Sequence, residues 1–509
     1  MRLPEVHSMG EISMEIYSKT WFKTGCLFLG ICVMGIFITT CASLSSGSSW
    51  SGPVTTIYFG HHYPIEVASS RDDAADLWRW QQNDLNARRY AEKEVLNKLG
   101  VRIEWVQYNQ ASLDDQIRSG IDGKQMDIFR IIGARQADLI EKNLIQPIDQ
   151  YSDLYSDEDA AWMYWPKVFG HNWFVNMQMR PGADAPLVYN IGMLNKVPAL
   201  KENGKTVLPV HLWQQGKWTW SAFEDYLQKV HNYWTSQADK YMAWDTYHST
   251  GTLLAIHSNG GCIYGEDGLG FASQEAKEAV AFIERLMAKR LLRNPDIQAG
   301  TSIQEPALRD QWRFQWGDSV FGNIQEWLAK QMINHFNERR DKMGIVPFPR
   351  PDWKDADDPG YHQANDARDC FAIPFNVRPE RAELALKAFR EYNIAFYKKL
   401  AGSERALDFL QSDAGAQAST VRQFIDTNNK DYGPAMIEAW KYMGANPQIN
   451  EYAKNVGLWD FWGTDVLGDS LYTVHGAKDY AVWADEKLPE ARAIIDRIQQ
   501  AVDSGYGTK

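Results

Sequence analysis

Three consecutive stretches decide the fold class: VTTIYFG at residues 54–60, a polar-faced segment from Asp84 to Leu99, and VRIEWV at residues 101–106. The first alternates apolar with polar side chains and ends in glycine, as a half-buried strand does, and the third repeats that pattern. The segment between them has helical length and a polar face, so the three read as strand, helix, strand. Outward from this unit the pattern continues. Leu113 to Ile121 reads as a helix, MDIFRII at 126–132 as a short buried strand, and Gln136 to Lys142 as a helix closing on LIQPID at 144–149. Alternating units of this length imply a mostly parallel sheet covered by helices, an α/β lobe.

A second lobe begins near residue 186. PLVYN at 186–190 reads as a strand. Trp218-Thr-Trp220 runs into Ser221, with Glu224 three residues on, a capping box expected to start a helix over 222–230. Ser273 opens an amphipathic helix to about Lys289, with Ala276, Val280, Ile283 and Met287 on one face, a packing stripe rather than a site. MGIVPFP at 343–349 and FAIP at 371–374 read as short strands around an acidic loop, 352–358, and Glu380 to Tyr397 as a long helix. The last third is helical, ending in Pro489 to Val502, where Ala493, Ile494, Ile498 and Ala501 mark another packing face. No internal repeat interrupts this order.

With 509 residues, 44% apolar and 23% charged, the chain suits two or three lobes. Lys plus Arg at 53 against Asp plus Glu at 65 leaves a net charge of -12, the wrong sign for neutralising phosphates, so a nucleic-acid partner is not expected. The 21 Trp, 23 Tyr and 21 Phe residues serve either large cores or a flat ligand, because aromatic rings dominate both. No HExxH, G-x-S-x-G or Walker loop is present, and Gly268-Leu-Gly270 lacks the strand and third glycine of a dinucleotide site. The acidic run Asp352, Asp355, Asp357, Asp358 does not follow EF-hand spacing. Neither a cofactor nor a metal is expected.

Residues 1–40 read as an address. Gly25 to Ile38 carries no charge, follows Lys19 and Lys23, and at 14 residues is short for a bilayer span. Cys41, followed by the Ser-rich stretch to Ser49, resembles the lipidated first residue of a bacterial lipoprotein on a flexible tether, 41–53, although Thr40 departs from the small residues usual before it. Removing Cys26 and Cys32 with the signal and Cys41 to lipid leaves Cys262 and Cys370, either a disulfide pair or two separate thiols.

Several phrases together resemble family 1 extracellular solute-binding proteins, the sugar receptors of bacterial ABC importers. Asp138-Leu-Ile-Glu-Lys-Asn-Leu-Ile-Gln-Pro-Ile-Asp149, Val188-Tyr-Asn190 with Leu194, Trp218-Thr-Trp220 with Phe223, Asn259-Gly-Gly261, Gly344-Ile-Val-Pro-Phe-Pro349, and Phe371-Ala-Ile-Pro374 with Pro379 to Ala382 stand in the family's order over about residues 54–400. The resemblance implies a two-lobed α/β fold with a hinge and a ligand cleft between the lobes. It places residues 54–165 and a return segment, about 343–400, in lobe 1. Lobe 2 then takes 166–342 and the C-terminal segment, about 401–509. The implied function is capture of a carbohydrate, an oligosaccharide, for an ABC permease by a monomeric, membrane-anchored, extracytoplasmic receptor. A secreted glycoside hydrolase fits the same composition, and a structural surface lipoprotein is the third class.

Candidate ligand contacts follow the family's pattern. His62 and Tyr63 follow the first strand. Trp244 and Asp245 set a stacking ring beside a hydroxyl acceptor, and Gln325 and Trp327 lie in a glycine-led stretch. Asp366 and Arg368 precede the strand at 371, and Trp459 and Trp462 form a dense aromatic loop where core packing is the competing reading. Sugars present flat C–H faces to such rings and hydroxyls to such polar groups. Cys41→Ala is expected to release the protein from the membrane fraction or leave it as an unprocessed precursor, read by fractionation and gel mobility.

Overall fold

In the computed structural model the described residues are 50–62, 82–163, 167–176, 186–237, 241–246, 248–265, 267–292, 314, 317–323, 342–358, 361, 370–411, 428–445, 451–472 and 478–506. The opening unit forms as its pattern dictates. Strand β1 (Thr55–His61) pairs in parallel with β2 (Val101–Gln107) through helix α1 (Gln82–Leu99), and with β3 (Ile128–Ile131) on its other side. Gly100 makes the turn from α1 to β2 with φ +65, and the indole of Trp50 lies where its Cβ would project. Helix α2 (Gln136–Glu141) and the two-residue strand β4 (Ile145–Gln146) follow, then β5 (Val175–Asn176).

The sheet is completed from far along the chain. Strand β10 (Cys370–Pro374), buried along its whole length, inserts antiparallel between β3 and β4 and also pairs with β5. Period-two alternation then splits the strands between two cores. Phe371 and Ile373 join Ile57, Phe59 and Trp105 under α1 and the helix α6 (Pro379–Ala401), while Cys370 and Ala372 join Phe129 and Ile131 in the other. Helix α6 has Pro379 in its first turn and stops at Gly402, left-handed at φ 63.

The second sheet has the order β9-β6-β8-β7: β6 (Leu187–Asn190), β7 (Met242–Asp245), β8 (Ser319–Asn323) and β9 (Met343–Val346). β8 runs parallel to β7 and antiparallel to β6, which β9 also meets antiparallel. Gly344 stands opposite Tyr189 in that register, and any Cβ there would collide with the tyrosine ring. Helices α3 (Trp220–Thr235), α4 (His248–Ser258), α5 (Gln274–Ala288) and α7 (Gly433–Ala445) pack around this sheet, and α8 (Tyr480–Tyr506) ends the chain. Among the described residues no helix is long and apolar enough to cross a membrane.

Two α/β sheets joined by crossing segments match the expected two-lobed class, with three local corrections. Residues 343–346 belong to the second sheet, so the chain returns to the first at Cys370 and not at 343. The cap of α3 is Thr219, whose hydroxyl accepts from the Ala222 N–H; Ser221 instead binds Asp352, and Glu224 pairs with Arg285 and Lys289. Pro489 lies inside α8, which starts at Tyr480. Residues 1–49, including Cys41 and the signal segment, lie outside the described residues. Cys262 and Cys370 are not joined in a disulfide, and burial pushes the Cys262 thiol up to about 12, with the nearby Glu451 carboxylate adding to the shift.

One ion pair on a buried carboxylate fastens the returning segment to the opening unit. Asp127, 1% exposed, takes both the Nε and the Nη2 of Arg381 on α6 and the Tyr58 N–H at 2.8 Å, while Arg381 also donates to the Thr56 carbonyl at 2.9 Å. Burial pushes the Asp127 carboxyl above its usual range, with the arginine and the strand N–H pulling it back. Arg381→Met is expected to cost on the order of 3 kcal/mol in urea unfolding, because it strands a buried carboxylate. A carboxyl whose folded pKa is raised loses its share of stability as pH rises through that pKa. The deficit is therefore expected to shrink as the pH is lowered towards about 4, and Asp127→Asn in the same chain to recover part of it.

Candidate functional site

Polar side chains gather at the carboxyl ends of the parallel strands, where an open α/β sheet leaves backbone N–H groups and loop ends together. On the first sheet His61 ends β1, Tyr108 follows β2 and Arg130 lies on β3; all three are buried. The Arg130 guanidinium lies 3.1 Å from His61 Nε2 and can donate to it. The Tyr108 hydroxyl donates to the Arg130 carbonyl at 2.6 Å and lies 3.4 Å from His62 Nδ1. The two imidazoles stack at 5.3 Å and 11°, which leaves the half-buried His62 as the outermost ring of the group. Gln136, at the start of α2, is fully buried beside the same strand ends.

The second sheet carries a matching group. Trp244 and Asp245 end β7 in register with Phe321 and Gly322 of β8, and Thr246, Ser249 and Asn323 are buried at the same end. The Trp244 indole N–H donates to Asn323 Oδ1 at 3.0 Å. Its ring packs edge-on against Phe223 at 5.3 Å and tilted against Phe348 at 5.8 Å, with no exposed surface. Trp244 is thus a core residue of the second lobe here, and the expectation of an exposed stacking face is corrected: the indole is satisfied by Asn323 and enclosed by two phenylalanines. Asp245 is also buried, 2% exposed, beneath the strand end rather than at a solvent edge.

Trp462 is fully buried too, donating to the Tyr480 hydroxyl at 3.2 Å, so the core reading holds for it. Trp459 is half-buried, lies 5.7 Å from Trp462 with Lys454 Nζ 4.6 Å over its ring, and lines a cavity of about 200 Å³ together with Asp138, Glu141 and Arg497. Tyr63, Gln325, Trp327, Asp366 and Arg368 lie outside the described residues. Sequence reading took His61-His62-Tyr63 as one group after the first strand but passed over Tyr108 and Arg130. The signal that finds them is positional: each stands at or just past the last residues of a parallel strand.

A third buried group ties the C-terminal segment down. The Glu451 carboxylate, 1% exposed, accepts the N–H groups of Ile263 (2.6 Å), Tyr264 (3.2 Å) and Ala453 (2.9 Å) and stands 3.4 Å from His257 Nε2. Among the described residues no cluster of His, Cys, Asp and Glu has the makeup of a metal site. The strand-end groups offer guanidinium, imidazole, phenol and amide partners, the set that hydroxyl-rich ligands use.

Trp244→Ala is expected to lose about 3 to 5 kcal/mol of stability, as buried Trp truncations do. Denaturant unfolding of the ligand-free protein measures it, and a change under about 1 kcal/mol would contradict the core placement.

No protein-family model and no curated protein matches the chain. Among solved structures, it is similar to the GacH receptor of Streptomyces glaucescens, solved unliganded and with acarbose: 12% identity, 89% of this chain and 98% of that one, TM-score 0.49. It is likewise similar to the maltose-binding protein MalE of Listeria monocytogenes with maltose (13%, 89% and 99%, TM-score 0.48) and to UgpB of Mycobacterium tuberculosis with glycerophosphocholine (13%, 88% and 99%, TM-score 0.48). At that level of superposition the two-lobed architecture of this chain rests on its own strand order and crossings, not on the likeness.

Proposed function

We propose that this chain is the carbohydrate-binding receptor of a bacterial ABC importer, anchored outside the cytoplasm through lipid on Cys41, and that it is not an enzyme. One observation carries the reading: the chain passes back and forth between two α/β sheets, from β5 to β6, from β9 to β10, and from α6 to α7, and each sheet gathers buried polar side chains at its strand ends. Two lobes linked by several crossing segments can close on a ligand held between them. Neutral and cationic donors there suit hydroxyl groups; His62 directly follows the first strand, and Tyr63, Gln325, Trp327, Asp366 and Arg368 remain candidates by sequence position.

In this reading the ligand's hydroxyls meet the His62 imidazole, kept in place by its stack on His61 and its contact with Tyr108. Trp327 supplies a stacking face. Delivery to the permease follows release from the closed form. Neither Trp244 nor Trp462 takes part.

The purified mature chain is expected to bind an oligosaccharide from a glycan panel in calorimetry and, after prolonged incubation, to return it at full length in chromatography. A shortened product, lost on replacing one Asp–Glu pair, would move the protein to the glycoside hydrolases. Trp327→Ala is expected to weaken binding by about 1 to 3 kcal/mol, since a stacking ring contributes its own 0.5 to 1.5 kcal/mol as well as its buried area.

A further inference from the structure

Helix α8 spans 27 residues, about 40 Å at 1.5 Å per residue, and its two halves belong to different lobes. The first half sits on the second lobe. There Lys277 of α5 reaches both carboxylate oxygens of Asp485 at 2.8 Å, and the Tyr480 hydroxyl donates to the Phe271 carbonyl at 2.8 Å. The second half sits on the first lobe, against α2, with Arg497 donating to Glu141 at 2.8 Å. Pro489 stands between these attachments. A proline inside a helix removes one backbone hydrogen bond and crowds the carbonyl four residues earlier, here that of Asp485, so it leaves a weak point in the rod.

The segment 451–458 repeats the same division over eight residues. Glu451 is held to the second lobe by the backbone N–H groups of Ile263 and Tyr264, and the Tyr452 N–H donates to the Tyr264 carbonyl at 2.8 Å. At its other end the Asn455 amide donates to the Gln136 carbonyl oxygen on α2, both side chains fully buried. A Cβ on Gly457, left-handed at φ 75, would lie 3.3 Å from both Ala137 of α2 and Ile498 of α8. The two ends differ in strength. A buried carboxylate with several N–H donors is costly to release, whereas Asn455 Oδ1 receives no hydrogen bond among the described residues, so the Asn455 amide is only half satisfied.

We propose that residues 451–458 and α8 form a jointed strap that sets the angle between the lobes. It is fixed to the second lobe through Glu451 and Asp485, held to the first by the exchangeable contacts Asn455–Gln136 and Arg497–Glu141, and bends at Pro489. Gln136, Asn455 and Arg497 are then positioning residues that act on ligand capture without touching ligand. The consequence for capture rests on the receptor reading; the control of lobe angle does not.

The test uses the ligand-free mature chain, so a protein that binds no glycan still decides the point. Spin labels at Lys93→Cys on α1 and Asp225→Cys on α3, both exposed positions, report the interlobe distance distribution in a Cys262→Ser background. Asn455→Ala is expected to raise the population outside the parent distance roughly fivefold, the effect of one buried hydrogen bond on a two-state equilibrium. Arg497→Glu is expected to broaden the distribution, and adding Glu141→Arg to restore it. Pro489→Ala is expected to narrow it. Distributions identical to the parent in both Asn455→Ala and Arg497→Glu, with unchanged circular dichroism, would overturn the strap. If Asn455→Ala does not fold, the mostly exposed Arg497 and its charge swap decide alone.

Discussion

A single buried carboxylate holds the beginning of this chain to a segment some 250 residues later. Asp127 follows no helix cap and faces no solvent; its oxygens are taken up by Arg381 and by the N–H of Tyr58 on the first strand. Arg381 in turn reaches the Thr56 carbonyl, so one guanidinium spans β1, the approach to β3, and α6. A buried charge is tolerated only with such complete partnering. Because α6 follows β10 directly, fastening α6 also fixes where β10 can insert, and with it the position from which the chain leaves for the second sheet.

Much of this was legible where a local rule and the tertiary demand coincide. Period-two runs gave β1 and β2, and Ser273 caps α5 as its position suggests, its hydroxyl accepting from Ala276. Local rules failed where a distant partner changed the balance. Ser221 has the spacing of a capping box, yet Asp352 from a remote loop claims its hydroxyl and backbone, and Thr219 two residues earlier becomes the cap. Pro489 reads as a helix start because proline suits a first turn, but tertiary packing on both sides carries α8 through it. The sheet to which β9 belongs was not readable at all: GIV is apolar in every register, and only its pairing with Leu187–Asn190 assigns it.

The site was less legible than the fold, for a reason visible in Trp244. An indole beside a carboxylate, followed by turn-like residues, describes a ligand platform and a satisfied core residue equally well; Asn323, 79 positions away, decides between them by accepting the indole N–H. His62 was found because it follows a strand, and the same logic applied to β2 and β3 would have found Tyr108 and Arg130. What no local rule supplies is the partner of His61, an arginine 69 residues further on.

The late arrival of β10 also has a meaning in time. A chain synthesised from its N-terminus exposes β1, β2, β3 and β4 long before residues 370–374 exist to fill the gap between β3 and β4. Until then those strands present unpaired edges, and pairing across so great a separation is intrinsically slow. The first lobe is therefore among the last parts of the molecule to become complete, although its sequence comes first. A chain cut short before residue 374 loses structure at its beginning as well as at its end.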